Sequence, residues 1–429
     1  MTTFKDTNIK WLLKIPNDWE IKKLKYIFTY ITGATPSSWK SEYYNWGNHN
    51  WITISDLDWR YTWKSKNTLT DKAVQDSNMR IVPKWSLLYS FKLSVWQMAF
   101  VSEDTYTNEA IFAVLEKEWL NLNFWYYALG SYFISNANEN IYWAKIFNQF
   151  VIDNWFLIVP TLDTQTTIAN FLDSKTDKIS TFIKNKKETI KLLQEQKQSI
   201  IHKAATKGID EWVEMKDSWI EWIWKIPKNW KIKRLKYLLI DTVDNRWRTP
   251  EVQIEWIPLL EVNAINKTIN PNTLKITKHL SIDNYKNFVR KELNVWDILF
   301  VTVWATIWKT CIIPKEFNYC ILQNIVWFRF NKKNFNSKLF LYITYVDWFR
   351  EYYKLKNKIN TLDSIKVSIF INEYLPIPEI KEQEKIIKYL EKETNLIDMA
   401  ISKIESEIQL IEEYKDSLIY NAVTGKINI

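Results

Sequence analysis

Glycine is nearly missing from this chain: 5 in 429 residues, where an average soluble protein carries it at ~7%, or roughly 30. Cysteine is as scarce. Cys311 and Cys320 are the only two, which excludes a disulfide framework and leads us to expect a reducing, cytoplasmic setting. Histidine is limited to His49, His202 and His279, and no Cys-x-x-Cys occurs, so no metal site is expected. The start, Met-Thr-Thr-Phe-Lys-Asp, lacks the apolar run of a signal peptide, and no stretch is long and apolar enough to span a bilayer. A membrane partner is therefore not expected. The motifs of common chemistry are missing too. There is no G-x-x-x-x-G-K-[ST], no H-E-x-x-H, no G-x-S-x-G, and no Asn-Pro-Pro-aromatic or Asp-Pro-Pro-aromatic tetrapeptide. We expect neither catalysis nor a bound cofactor.

What is present in excess is tryptophan, at 25 residues. Many of these stand where a turn calls for glycine, the residue that enters positive φ cheaply. Trp85 follows Val-Pro-Lys ahead of a β-rich run, and Trp296 precedes Asp-Ile-Leu-Phe. Trp304 and Trp308 punctuate Val-Trp-Ala-Thr-Ile-Trp-Lys-Thr, and Trp247 lies in Asp-Asn-Arg-Trp-Arg-Thr-Pro. A UGA codon that the organism reads as glycine, translated here as tryptophan, would produce this pattern. A genuinely tryptophan-rich chain is the alternative. Trp19, Trp51, Trp125, Trp222 and Trp230 sit among apolar or aromatic neighbours and read as true tryptophans.

The second excess is positive charge, +9 net with pI near 9.0. It favours an anionic partner such as nucleic acid, or serves solubility alone.

The third feature is a tandem repeat. Gln165-Thr-Thr-Ile168-Ala-Asn-Phe-Leu172 returns as Gln383-Glu-Lys-Ile386-Ile-Lys-Tyr-Leu390, at an offset of 218. The offset holds to the end of the segment: Glu195, Lys197, Ser199, Ala204, Thr206 and Ile209 recur as Glu413, Lys415, Ser417, Ala422, Thr424 and Ile427. Upstream, Ile15-Pro16-Asn-Asp-Trp19 returns as Ile226-Pro227-Lys-Asn-Trp230, at an offset of 211. Ile183, Lys186, Ile190, Leu193, Lys197, Ile200 and Ala204 step by three and four, as do Ile397, Ile401, Ile404, Ile408, Ile411, Lys415, Leu418 and Ala422. That spacing predicts two long helices, each with one apolar seam, and the simplest way to cover two seams is to pack them together. A helix of about 40 residues is ~60 Å long. Lys197 and Lys415 fall on the seams, either specifying register or snorkelling. The expected organisation is α+β: two α/β globular segments at 1–160 and 210–377, separated by helical segments at 161–209 and 378–429 that form an antiparallel coiled coil. Strands are predicted at Trp51–Ile54, Ser86–Phe91, Ala110–Val114, Phe156–Val159, Ile298–Val301, Ile307, Cys311–Ile313 and Ile325–Phe328. Helices are predicted at Phe124–Ile134 and Leu339–Tyr353.

These stretches, in this order and duplicated, resemble the specificity subunit of type I restriction-modification systems over essentially the whole chain. The resemblance rests on Ile15-Pro16-x-x-Trp19 and its copy, and on Thr32-Gly33-Ala34-Thr35-Pro36-Ser37 and Trp51-Ile-Thr-Ile-Ser-Asp-Leu57. It also rests on Ile257-Pro-Leu-Leu-Glu-Val-Asn263, on Asp297-Ile-Leu-Phe-Val301, and on the closing Pro160/Gln165/Ile168/Leu172 and Pro378/Gln383/Ile386/Leu390. The departure is tryptophan where the family favours glycine. The resemblance implies two target-recognition domains, each reading one half of a bipartite site in double-stranded DNA. It implies that the helices set the spacing and dock two methyltransferase subunits, and that restriction/translocase subunits join the complex. Half-sites read from one face of B-DNA lie ~34–36 Å apart, a separation such helices can hold.

For DNA contacts, the candidates are polar and basic loop residues able to reach base edges or phosphates. In the first domain these are Thr35, Ser37, Lys40 and Lys92; in the second, Arg246, Arg248 and Lys309. Each could equally be a solvated loop residue. A coiled-coil interaction scaffold, or a nucleic-acid binder without sequence choice, remains open on composition alone.

Overall fold

The computed structural model describes residues 3–9, 12–91, 97–137, 149–244, 251–253, 256–262, 265, 278–289, 291–303, 307–313, 320–321, 324–357 and 364–429. Contacts divide the chain into two units, Met1–Lys186 with Ser406–Ile429, and Lys187–Glu405. Each unit takes part of both long helices, so the division is not linear in sequence.

The first long helix, Leu162–Lys207, runs for 46 residues, and the second, Ile380–Val423, for 44. No proline or glycine interrupts either one. Thr161 caps the start of the first by accepting from the Thr164 N–H at 3.3 Å. Gly208 (φ +78°) and Gly425 (φ +70°) stand just past the two C-termini, where the chain must turn through the left-handed region. The predicted seams are buried or half-buried throughout. Within the first unit, Lys186 reaches Glu407 at 2.8 Å, and within the second, Lys197 pairs with Asp398. Residues later in one helix thus meet residues earlier in the other, which is antiparallel packing. Lys197 is buried, and its charge is matched by a carboxylate of the facing helix.

The first unit begins with a hairpin, Phe4–Ile9 against Leu12–Pro16, whose register shifts between Asp6 and Ile9. Glu20–Lys23 then pairs antiparallel with Phe156–Val159. Its main sheet orders Tyr30–Thr32, Ile111–Val114, Leu87–Ser90, Met98–Val101 and Tyr61–Thr62, with only the last pair parallel. A smaller sheet orders Tyr106–Thr107, His49–Ile52 and Asn67–Leu69. The two central strands of the main sheet are buried on both faces, so neither alternates apolar with polar residues. Helix Leu122–Ala137 covers the sheet with Phe124, Trp125 and Leu129, and Ile168, Ala169 and Leu172 of the first long helix join the same core. Ala422 and Val423, from the end of the second long helix, complete it.

The second unit repeats this plan with different side chains. Its hairpin is Met215–Ile220 against Ile223–Pro227, with the register shift between Asp217 and Ile220. Lys231–Arg234 pairs with Tyr374–Ile377. The main sheet orders Leu239–Asp244, Ile325–Phe330, Ile298–Val301 and Thr310–Ile312. The smaller sheet orders His279–Leu280, Ile257–Leu260 and Cys320–Ile321. Leu339–Tyr353, predicted as one helix, is two, Ser337–Thr344 and Asp347–Asn357. Asn336 caps the first of them, and Tyr345 and Val346 form the break. Ile307 lies in a turn rather than a strand, and the strand predicted through Ile54 ends at Ile52, giving way to a short 3-10 turn at Ile54–Asp56.

Backbone angles bear on the tryptophans. Among the described residues other than glycine, φ is positive at Trp46, Trp85, Trp219, Trp256, Trp296, Trp308 and Asn78. Trp85, Trp296 and Trp308 are three of the positions read above as glycine sites; Trp247 and Trp304 lie outside the described residues. Trp19, Trp51, Trp125, Trp222 and Trp230, read as true tryptophans, are all buried.

Candidate nucleic-acid interface

Thr35, Ser37 and Lys40 share one loop, between strand Tyr30–Thr32 and the 3-10 turn Ser41–Tyr43. Its entry demands glycine: a Cβ at Gly33 would stand 2.0 Å from the Thr107 carbonyl oxygen. The next residue, Ala34, donates its N–H to that same carbonyl at 2.9 Å. Trp51 Nε1 donates to the Ala34 carbonyl at 3.2 Å and Tyr44 donates its hydroxyl to the Pro36 carbonyl at 2.6 Å. The loop is thus pinned from behind while Thr35, Ser37 and Lys40 face solvent.

These exposed groups are not equally available. Thr35 donates its hydroxyl to Glu109. Lys40 Nζ donates to the Tyr43 hydroxyl at 2.8 Å, and Tyr43 donates onward to Asp76 at 2.7 Å. That hydrogen bond holds the Lys40 pKa above its ordinary value, so the side chain stays cationic. Ser37 has its carbonyl bonded by the Lys40 N–H at 3.1 Å.

Lys309 lies elsewhere, in the second unit, at the entrance to strand Thr310–Ile312. It is half-buried and lines a cleft of about 210 Å³ with Ile265, Tyr345 and Arg350. Arg350 donates Nε–H to the Thr344 carbonyl at 2.6 Å and lies 3.7 Å from Asp347. Burial lowers its pKa from the ordinary value, with Asp347 opposing the shift. Two cations therefore share one cleft, an arrangement that suits an anionic group such as a phosphate. Lys92, Arg246 and Arg248 lie outside the described residues.

Residues 16–192 match the sequence model of the type I restriction modification DNA specificity domain. Over 452 aligned residues the chain is 24% identical to the type I restriction enzyme MjaIX specificity subunit of Methanocaldococcus jannaschii, covering 100% of this chain and 97% of that protein. The chain is thus similar over its whole length to a type I restriction enzyme specificity subunit, and residues 16–192 match the DNA specificity domain. The MjaVIII specificity subunit of the same organism is 21% identical over 446 residues, covering 100% of this chain and 98% of that protein. A solved chain from work on complex assembly and conformational transition of the type I R-M system superposes with TM-score 0.72 at 13% identity, over 96% of this chain and 99% of that one. The HsdS subunit from Thermoanaerobacter tengcongensis gives TM-score 0.51 at 15% identity, over 96% and 98%. At these identities the structural likeness speaks to fold: α+β halves in pseudo-repeat with two long helices. A specificity subunit works with DNA and with the other subunits of its complex. Among the described residues no helix is long and apolar enough to cross a membrane.

Sequence reasoning missed the side chains that join each globular part to its helix. In the first unit, Gln165 meets Asn121 and, about three turns on, Thr176 meets Tyr127. In the second, Gln383 meets Asn336, and Thr394 lies by Tyr342. The signal was present in the Pro-spacer-Gln pattern, but nothing in one strand of sequence says what the glutamine touches.

Proposed function

We propose that this chain is the non-catalytic component that chooses the DNA site for a cytoplasmic type I complex. Each globular part reads one half of a bipartite site in double-stranded DNA. The loop bearing Thr35, Ser37 and Lys40, with Lys92, serves one half-site; Arg246, Arg248 and Lys309 serve the other. The long helices set the spacing between half-sites and dock two methyltransferase subunits, to which restriction/translocase subunits are added. Methyl donor and ATP belong to those partners.

The observation that carries this reading is one strand plan used twice with unlike loops. Duplicated scaffolds with diverged loops suit an asymmetric, two-part target. The net charge of +9 suits phosphate contact, and the sequence holds none of the catalytic motifs sought above. Selection from a randomised duplex pool, with the full chain and its methyltransferase partner, tests it. A split motif supports the reading. Binding without a motif, falling steeply with salt, would make the chain a general nucleic-acid binder, and no binding at all would make it an interaction scaffold.

A further inference from the structure

We propose that Gln165 and Gln383 are positioning residues: each fixes the angle at which a recognition domain stands on its helix, and so sharpens the half-site spacing the protein accepts. This rests on the reading above. Both side chains are buried, at 1% and 0% exposed. Gln165 Nε2 donates to the Pro160 carbonyl at 3.0 Å, and its Oε1 accepts from the Asn121 N–H at 3.0 Å. Gln383 repeats both bonds, to the Pro378 carbonyl at 2.9 Å and from the Asn336 N–H at 2.8 Å, and adds one to the Asn334 carbonyl at 3.2 Å.

The partners are what give these bonds leverage. Pro160 and Pro378 end the closing strands Phe156–Val159 and Tyr374–Ile377. Asn121 and Asn336 start the domain helices: Asn121 Oδ1 accepts from the Phe124 N–H at 3.2 Å, and Asn336 Oδ1 from the Lys338 N–H at 3.0 Å. One carboxamide, rooted in the first turn of a long helix, therefore grips the last strand and the helix cap of its domain together. Only an amide does this, because one group must donate and accept in the same plane. A second tie lies about three turns on. Thr176 and Thr394 each bond the carbonyl four residues back at 2.7 Å, and the Tyr127 hydroxyl meets Thr176 Oγ1 at 3.0 Å. Tyr342 interacts with Thr394 at the equivalent place. The rest of each joint differs: Arg60 grips Asp173 in one unit, Lys338 grips Glu391 in the other. Loss of the carboxamide leaves buried partners unpaired and gives the domain a second way to sit.

The test uses the full chain and duplexes carrying the half-sites selected by the wild-type protein, with the intervening length varied one base pair at a time. Gln165→Leu and Gln383→Leu, singly and together, are expected to leave the half-site sequences unchanged while spacings one base pair off the optimum gain at least fivefold relative to it. A purely structural role would lower thermal stability without changing that ratio. An unchanged ratio in a folded variant overturns the proposal. Should the leucine variants not fold, Gln165→Glu keeps the acceptor for Asn121 and sets a carboxylate against the Pro160 carbonyl; it must broaden the spacing too, or the proposal fails. A wild-type protein that selects no split motif would defeat the underlying reading instead.

A separate observation carries a second inference: the natural protein has glycine at the six described tryptophan positions with positive φ. Trp46, Trp85, Trp219, Trp256, Trp296 and Trp308 have φ between 57° and 106°, a region a bulky side chain enters at a cost. Five of the six also expose their indoles, from 39% at Trp296 to 97% at Trp46. The buried tryptophans Trp19, Trp125 and Trp230 have no such backbone. Peptide mass spectrometry of the protein from its source cells is expected to read glycine at the six and tryptophan at those three. Tryptophan at the six overturns the inference.

Discussion

One turn, built twice, shows how the two halves share a backbone and differ in chemistry. Pro83-Lys84-Trp85-Ser86 and Asn294-Val295-Trp296-Asp297 both lead into the most buried strand of their sheets. Both close with the same bond, from the Ser86 N–H to the Pro83 carbonyl at 3.2 Å and from the Asp297 N–H to the Asn294 carbonyl at 3.1 Å. Both hold tryptophan at positive φ. At their ends they part. Pro83 has no N–H to offer, and Ser86 turns its hydroxyl back to the Pro83 carbonyl at 2.7 Å. Asn294 does have one, and Asp297 accepts it at 2.7 Å. The buried carboxylate also takes Arg329, with Nε at 2.9 Å and an NH2 nitrogen at 2.7 Å. A fold can thus be kept while a hydroxyl is traded for an ion pair, provided every buried polar atom finds a partner.

That difference sets the largest expected effect. Asp297→Ala removes the only carboxylate paired with Arg329 among the described residues and the acceptor of the Asn294 N–H, and should cost about 4 kcal/mol in chemical denaturation. Ser86→Ala should cost about 1 kcal/mol. Equal costs would mean the two turns are energetically the same. Where the halves agree, mutations should agree. Leu172 and Leu390 occupy equivalent positions at 0% exposure, so Leu172→Ala and Leu390→Ala should each cost about 3 kcal/mol. A difference greater than about 2 kcal/mol would break the equivalence of the two joints.

Smaller effects follow. Trp85→Gly and Trp296→Gly relieve positive φ and should each raise stability by about 1 kcal/mol, read as a higher melting temperature of the recombinant chain. The smallest effect is a pH dependence confined to one half. His202 is aligned with Tyr420 by the repeat. Burial, and then Lys207, holds the His202 pKa below its ordinary value of 6.5. The unfolded chain therefore binds the proton at higher pH than the folded chain does, and stability contributed by His202 is lost as pH falls through 6.5. His202→Tyr should flatten the acid side of the stability–pH curve; an unchanged curve would show that His202 does not contribute.

The scaffold was legible because its signals are local and repeated. Seam residues at steps of three and four, the uninterrupted runs Pro160–Gly208 and Pro378–Gly425, and the apolar runs of the main strands each fix an element on their own. The break at Tyr345–Val346 was not legible, because aromatic and apolar residues continue straight through it. The DNA candidates were legible only as a loop. Thr35, Ser37 and Lys40 do fall together, but the engagement of Thr35 by Glu109, and of Tyr43 behind Lys40 by Asp76, joins residues far apart in sequence. The joints were least legible. Gln165 meets Asn121, 44 positions earlier in the sequence, a pairing no periodicity encodes.

The central claim is that each globular part reads its own half of the site. The most direct measurement is duplex-pool selection repeated with half-specific variants, Lys40→Ala with Ser37→Ala in one protein and Lys309→Ala in another. The account predicts that the first relaxes or shifts one half of the split motif, the second relaxes only the other half, and the spacing stays fixed in both. A variant in either domain that alters both halves together, or a wild-type protein that selects one uninterrupted site, would contradict it.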